Sequence, residues 1–221
     1  LVLLALYVSL GRELTPLVAE YQGEIEAQVE QALGMPVRIG RLTGRWQQFA
    51  PELLVDDVAL GEQGNALHLQ QVRVIPDVLG SLLARQVKIA DLQVDGLRLN
   101  LQQADDGQWR LAGLPVRAAS DAPAASPSQV LAGLQRISWL SLINSQITLQ
   151  PLGQAPLSLT YVNLSLRSIG SRQRLDGRLV LPDGQPLSWR VRTRLDADEW
   201  AKAEAELYLS APMSDWSRWL P

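Results

Sequence analysis

The stretch Val87–Leu101, VKIADLQVDGLRLNL, decides the fold. Leu97, Leu99 and Leu101 alternate with Arg98, Asn100 and Gln102, which puts one set on each face of a strand. Val87, Ile89, Leu92 and Val94 precede them, and Asp95-Gly96 between the two runs predicts a tight hairpin with one apolar side.

The first run does not alternate cleanly. Its apolar positions fall at x, x+2, x+5 and x+7, with a slip of phase in the middle. The same spacing recurs at Leu53, Val55, Val58, Leu60, at Leu67, Leu69, Val72, Val74, and at Leu157, Leu159, Val162, Leu164. Val37, Ile39 and Leu42 follow it until Gly44. A one-residue slip turns half of a strand's apolar groups to the wrong face. An extra, unpaired residue at each slip, a β-bulge, returns them and adds twist. Repeated bulges curve a sheet. Two architectures satisfy this spacing: one strongly curved antiparallel sheet with an apolar inner face, or short strands in two packed sheets broken at each slip.

The 221 residues suffice for one domain or two and for a sizeable core. A formal charge of −3 argues against nucleic acid as a partner. Without Cys there is neither a disulfide nor a thiol nucleophile. The opening run Leu1–Leu10, LVLLALYVSL, is too short to cross a hydrocarbon core, which needs about 20 residues, and reads as the trailing half of a membrane anchor, the alternative being the buried start of an ordinary helix. Glu13, Glu20, Glu24, Glu26 and Glu30 follow with only Arg12 before Arg38, a flank that fits the non-cytoplasmic side.

Thr15-Pro16 predicts a helix start, and Leu17, Tyr21, Ile25, Val29 and Leu33 form an apolar stripe that ends at Gly34. Strands are expected over Val37–Trp46, Glu52–Leu60 and Ala66–Ile75, then a short helix over Asp77–Arg85 before the Val87 hairpin. Pro115–Ser128, PVRAASDAPAASPS, reads as a linker. Further strands follow, of which the last alternate without slips.

No catalytic constellation emerges. His68, the single histidine, alternates with Leu67 and Leu69 and reads as solvated. Asp56-Asp57 and Asp105-Asp106 are adjacent pairs whose members point to opposite faces, so neither is an acid/base dyad. Gly40 and Gly44 precede no phosphate-loop Lys and read as bend residues. Arg190, Arg192 and Arg194 form a row, and Arg172, Arg174 and Arg178 share a parity on the preceding strand. That surface is either a solvated outer face or a cradle for lipid phosphate. Trp109, Trp139 and Trp189 fall on apolar parities and read as core or groove lining.

The ordered set LALYVSLGRELTP, LGMPVRIGRLTGRW, APELLVDDVAL and VKIADLQVDGLRLNLQQADDGQWRL resembles the amino-terminal, anchor-proximal region of AsmA-like proteins, of the very large YhdP type related to TamB. The resemblance is good over about residues 1–114 and looser beyond. It implies an inner-membrane anchor and a periplasmic, repeating β-groove that carries phospholipid towards outer-membrane components, with no catalytic residues and no cofactor.

With it the expected fold is mainly β with an N-terminal α-helix: a curved antiparallel β-sheet forming an open apolar groove. The division is 1–12 for the tail of the anchor, 13–114 for the helix and first groove module, 115–128 for the linker and 129–221 for an incomplete second module. Phospholipid acyl chains are then expected against Val37 and Ile39, Leu53 and Val55, Leu67 and Leu69, Val87 and Ile89, and Leu97 and Leu99. The competing expectation is a non-catalytic periplasmic scaffold, a closed β-sandwich without lipid. An envelope enzyme would need a nucleophile or metal site that the sequence does not offer.

Overall fold

The computed structural model describes residues 15–47, 50–61, 67–111, 132–194, 204–211 and 213. The anchor expected over 1–12 and the linker over 115–128 lie outside the described residues. Among the described residues no helix is long and apolar enough to cross a membrane.

Thr15–Tyr21 form a 3-10 segment that passes into helix α1, Gln22–Leu33. Gly34, at φ 66°, ends it by donating its N–H to the Glu30 carbonyl, the left-handed cap that glycine adopts without penalty. The apolar stripe is rotated from the expected one: Val18, Ile25 and Val29 pack on the sheet, whereas Tyr21 is 54% exposed. Three residues per turn in the 3-10 segment break the four-residue spacing. Helix α1 lies along strand β1, Val37–Gln47. There Gln22 Nε2 donates to the Ile39 carbonyl at 2.6 Å, and the Ile39 N–H donates to the Glu26 carboxylate at 2.7 Å. Those backbone groups are the ones an edge strand offers to a neighbour, so the helix seals this edge.

The remaining strands are β2 Ala50–Leu60, β3 Leu67–Pro76, β4 Ile89–Asp95, β5 Arg98–Gln103, β6 Trp109–Leu111, β7 Ile137–Gln150, β8 Leu157–Ile169, β9 Arg172–Val180, β10 Pro186–Arg194 and β11 Glu204–Ser210. All belong to one sheet in the order β1-β2-β3-β4-β7-β8-β9-β10-β11, with β5 beside β3, β6 and β7. Of the two architectures, the single curved sheet is the one formed. It is mixed rather than wholly antiparallel, because β4 and β5 both run parallel to β7.

The hairpin expected at Asp95-Gly96 is not formed. Strands β4 and β5 continue in one direction past the same partner, with Ile89 opposite Ile137 and Arg98 opposite Gln146. A type I′ hairpin needs positive φ at both central residues. Only Gly96, at φ 67°, supplies one.

The slips of phase are in register across the sheet. Ile39 faces Val58, and Leu42 faces Val55. Val58 in turn faces Leu69, and Val55 faces Val72. Val72 faces Val94, which faces Leu142. The residues within the slips, Gly40, Asp57, Gln70, Gly96 and Asn144, therefore lie abreast. From β1 to β3 the register is the same on both sides of the slip while Gly40, Asp57 and Gln70 drop out of the pairing together, so the strands share a crease instead of carrying separate bulges. Left-handed backbone at Asp57 (φ 54°), Gly96 (φ 67°), Asn144 (φ 50°) and Tyr161 (φ 48°) makes the turn in phase.

Bulge-type register shifts occur where the crease dies out, between β7 and β8 and between β8 and β9. Polar side chains tie it together: Gln71 Nε2 donates to Asp56 Oδ1 (2.7 Å), Asn144 Nδ2 to Asp95 Oδ1 (3.1 Å), and the Asn144 N–H to Asn163 Oδ1 (3.0 Å).

Beyond the crease the apolar face packs on itself. Val162, Leu179 and Leu181 are buried, with Leu187 and Trp189 against them. Gly177 sits under the Trp189 ring so closely that a Cβ there would overlap it. Trp109 and Trp139, expected inside, are exposed. Trp139 lies on the outer face next to inward Leu140, donates Nε1–H to Ser165 Oγ at 3.0 Å, and carries the Arg167 guanidinium 4.2 Å from its ring centroid. Between β3 and β4, helix α2, Val78–Ala84, is capped by the Asp77 carboxylate and leaves Leu79, Leu82 and Leu83 exposed.

Candidate functional site

Inside the bend lies a hollow of about 900 Å³ lined by helix α1 and by every lane from β1 to β9. On a flat sheet the six spacings between β1 and β9 would hold those strands about 29 Å apart. Curvature alone brings them to one space. The creased strands supply the walls in matched pairs of rows: Leu53 and Val55 before the crease with Val58 and Leu60 after it, and Leu67 and Leu69 with Val72 and Val74. Among the described residues, Ser141 is the one polar member of a lining that is otherwise aliphatic. The volume falls within the range of about 300–1,000 Å³ usual for small-molecule sites.

Of the ten residues expected on the wall, seven meet there: Val37, Ile39, Leu53, Val55, Leu67, Leu69 and Leu97. Three do not. Val87 precedes β4 in the turn after α2 and is 76% exposed. Ile89 sits opposite Pro76, where the register shifts at the rim of the sheet. Leu99 lies opposite Ile147, which packs against the Val162 cluster past the end of the hollow. The expected list also missed Val58, Val72, Leu92 and Val94, although each stands in the later half of a slipped spacing. Leu140, Leu142, Leu164, Leu166 and Leu175 come from the second half of the chain, where nothing in the sequence indicates that β7 lies beside β4.

Among the described residues the hollow offers no titratable side chain. Among the described residues there is no cluster of three or more His, Cys, Asp or Glu that could hold a metal. His68 is exposed on the opposite face from Leu67 and Leu69. The two carboxylates with displaced pKa values, exposed Asp106 and half-buried Asp176, are displaced downward. A backbone N–H from Gln108 lowers Asp106, and the Arg174 guanidinium lowers Asp176. Lowered carboxylates are ionised at neutral pH and unsuited to proton transfer. Elsewhere on the outer face Arg73 bridges Asp91 at 2.7 Å and Glu52 at 3.8 Å. Such a space can shield hydrocarbon, and it holds it by contacts without direction.

A family model described as YhdP protein matches residues 1–221. The intermembrane phospholipid transporter YhdP of Escherichia coli (strain K12) is 27% identical over 224 residues, covering 99% of this chain and 17% of that protein. The chain thus spans less than a fifth of the length of this relative. No solved structure matches.

Proposed function

The chain belongs to the YhdP family, and from that premise we propose that it is the anchor-proximal part of a periplasmic conduit moving phospholipid between the inner and outer membranes. Acyl chains lie along the concave face of the creased sheet, against residues such as Val37, Leu53, Val55 and Leu69. The observation that carries this reading is the lining, which among the described residues is aliphatic but for Ser141 around about 900 Å³. Each methylene buried there contributes about 0.8 kcal/mol. The attraction is non-directional, so a tail held by it also slides.

In this reading residues 1–12 belong to the inner-membrane anchor, and 13–114 and 129–221 form successive groove modules with no catalytic task. The scaffold alternative requires a second sheet over the apolar face, whereas every strand among the described residues belongs to one sheet, which favours the conduit.

A photoreactive residue placed at Leu69 of the full-length protein in intact cells tests it. Phospholipid is the expected adduct, and the same residue at His68, on the outer face, gives none. Adducts to protein alone at Leu69 would overturn the conduit.

A further inference from the structure

Helix α2 stands between β3 and β4 and buries none of its residues. Leu79, Leu82 and Leu83, three and four positions apart on one helix face, and Val87 in the turn that follows are 60–86% exposed. Single surface leucines need no explanation, but four large aliphatic groups on one tip form a patch. The base of the tip is fixed. The Asp77 carboxylate accepts the Gly80 N–H at 2.8 Å, the Lys88 N–H donates to Ser81 Oγ at 2.8 Å, and the Asp77 N–H donates to the Lys88 carbonyl at 3.0 Å. So short a helix is marginal in water on its own. Here these bonds support it and hold its leucines away from the sheet.

Charge indicates what meets the patch. The segment Val78–Ala90 contains Arg85 and Lys88 and no acidic residue. Exposed Arg136 adjoins them, because its carbonyl accepts the Ile89 N–H at 3.0 Å. None of the three cations has an ion-pair partner among the described residues. Hot spots of protein interfaces are rich in Trp, Tyr and Arg and poor in Leu, whereas this segment has no aromatic residue. Leucines that enter the acyl boundary, with cations beside them at the level of the lipid phosphates, make an interfacial membrane contact. Position agrees with charge. Strand β3 delivers α2 two strand spacings, about 10 Å across the sheet, from β1. The first described residues, Thr15–Tyr21, pack on β1 through Val18. The anchor that the conduit reading assigns to residues 1–12 therefore joins the fold at the same end of the strand order.

We propose that α2 is a second contact with the membrane: Leu79, Leu82, Leu83 and Val87 enter the surface of an anionic phospholipid bilayer, and Arg85, Lys88 and Arg136 meet its phosphates. A single tether leaves the sheet free to swing, and a second contact fixes its tilt. Strands β3 and β4, which root the tip, set Val74 opposite Leu92 on the wall of the apolar hollow, so the contact holds that wall at the lipid surface. This inference rests on the conduit reading for the anchor and adds which part of the sheet touches the bilayer.

The test uses full-length protein with a fluorescent residue at Leu83, reconstituted into vesicles of phosphatidylethanolamine and phosphatidylglycerol. Phospholipid brominated near the top of its acyl chains quenches that residue and does not quench the same residue at Arg178, exposed on β9. Leu79→Gln/Leu82→Gln, which keeps helix propensity, lowers the quenching about threefold and leaves the unfolding midpoint unchanged, because neither side chain is buried. Arg85→Glu/Lys88→Glu lowers it about threefold in these vesicles and much less in phosphatidylcholine alone.

No quenching at Leu83, while a photoreactive residue at Leu69 still labels phospholipid, would overturn the membrane contact and leave the conduit standing. Quenching at Leu83 with no phospholipid adduct at Leu69 would uphold the contact and overturn the conduit. A photoreactive residue at Leu83 that labels only protein, a second copy or another chain, would assign the patch to a protein interface and overturn the proposal. A lower unfolding midpoint for Leu79→Gln/Leu82→Gln with full quenching would make the leucines structural and overturn it as well.

Discussion

Strands β1 to β8 bend at a shared line, and β9 to β11 do not, although both regions alternate apolar and polar side chains. In the creased region the apolar rows on either side of the line lean towards each other and leave a hollow of about 900 Å³ between them. In the smooth region Leu179, Leu181 and Trp189 close upon their own neighbours. One extra residue per strand, repeated at the same rung, is the difference between a trough and an ordinary core. The inward rows of both regions are apolar; their phase differs.

The comparison is broken most severely by removing the backbone freedom on which the crease depends. Gly96→Val puts a β-branched side chain at φ 67°, with a Cβ overlapping the Gln70 side chain, and destabilises the protein by about 3 kcal/mol in urea unfolding. Gly177→Ala in the smooth region costs about 2 kcal/mol because the new methyl meets the Trp189 ring. The two losses respond differently to a second change. Trp189→Leu recovers most of the second, whereas Gln70→Ala recovers little of the first, since the constraint there is φ rather than space. Equal rescue at both sites would refute a conformational crease.

A smaller effect has opposite signs in the two regions. Tyr161 is exposed and held at φ 48°, so Tyr161→Gly relieves left-handed strain and stabilises by about 1 kcal/mol. Arg178→Gly, at an exposed position of regular β9, destabilises by about 0.5–1 kcal/mol through backbone entropy. Destabilisation at both positions would show that Tyr161 is held by something other than its backbone.

The smallest effect belongs to the smooth region alone. Arg174, and after it Arg190, holds the Asp176 carboxyl below its usual range. Its contribution is complete above the usual carboxylate range and is lost as pH falls through the lowered folded-state value. Asp176→Asn should therefore flatten the acid side of the midpoint-against-pH curve slightly, because solvent reaches more than a third of the side chain and screens the pair. A change on the neutral side would contradict the ion pair.

Much of this was legible in the sequence, and the limits have physical causes. The x, x+2, x+5, x+7 spacing identifies the inward residues, because keeping one face apolar through a change of phase admits few backbones. It does not tell a shared crease from separate bulges, which differ only in the partner strand's register. Asp95-Gly96 was misleading because a hairpin and a crease both call for a glycine at positive φ. The parallel approach of β4 and β7 is a long-range pairing, and no local pattern encodes it. Val87 continues the periodicity one step beyond the last residue that has a partner. The arginine parity on β9 and β10 was visible, but the polar rung on the opposite face was not, since Ser168, Gln173 and Thr193 are remote from one another until the strands align.

The Gln22 and Glu26 bonds to Ile39 have one more consequence. They terminate the assembly at β1, while β11, with all seven residues exposed, has no strand beyond it among the described residues. A strand added beside β1 would have to displace Gln22 and Glu26 from Ile39, whereas one added beside β11 would displace no described residue, so the two ends of the sheet's main path resist extension unequally.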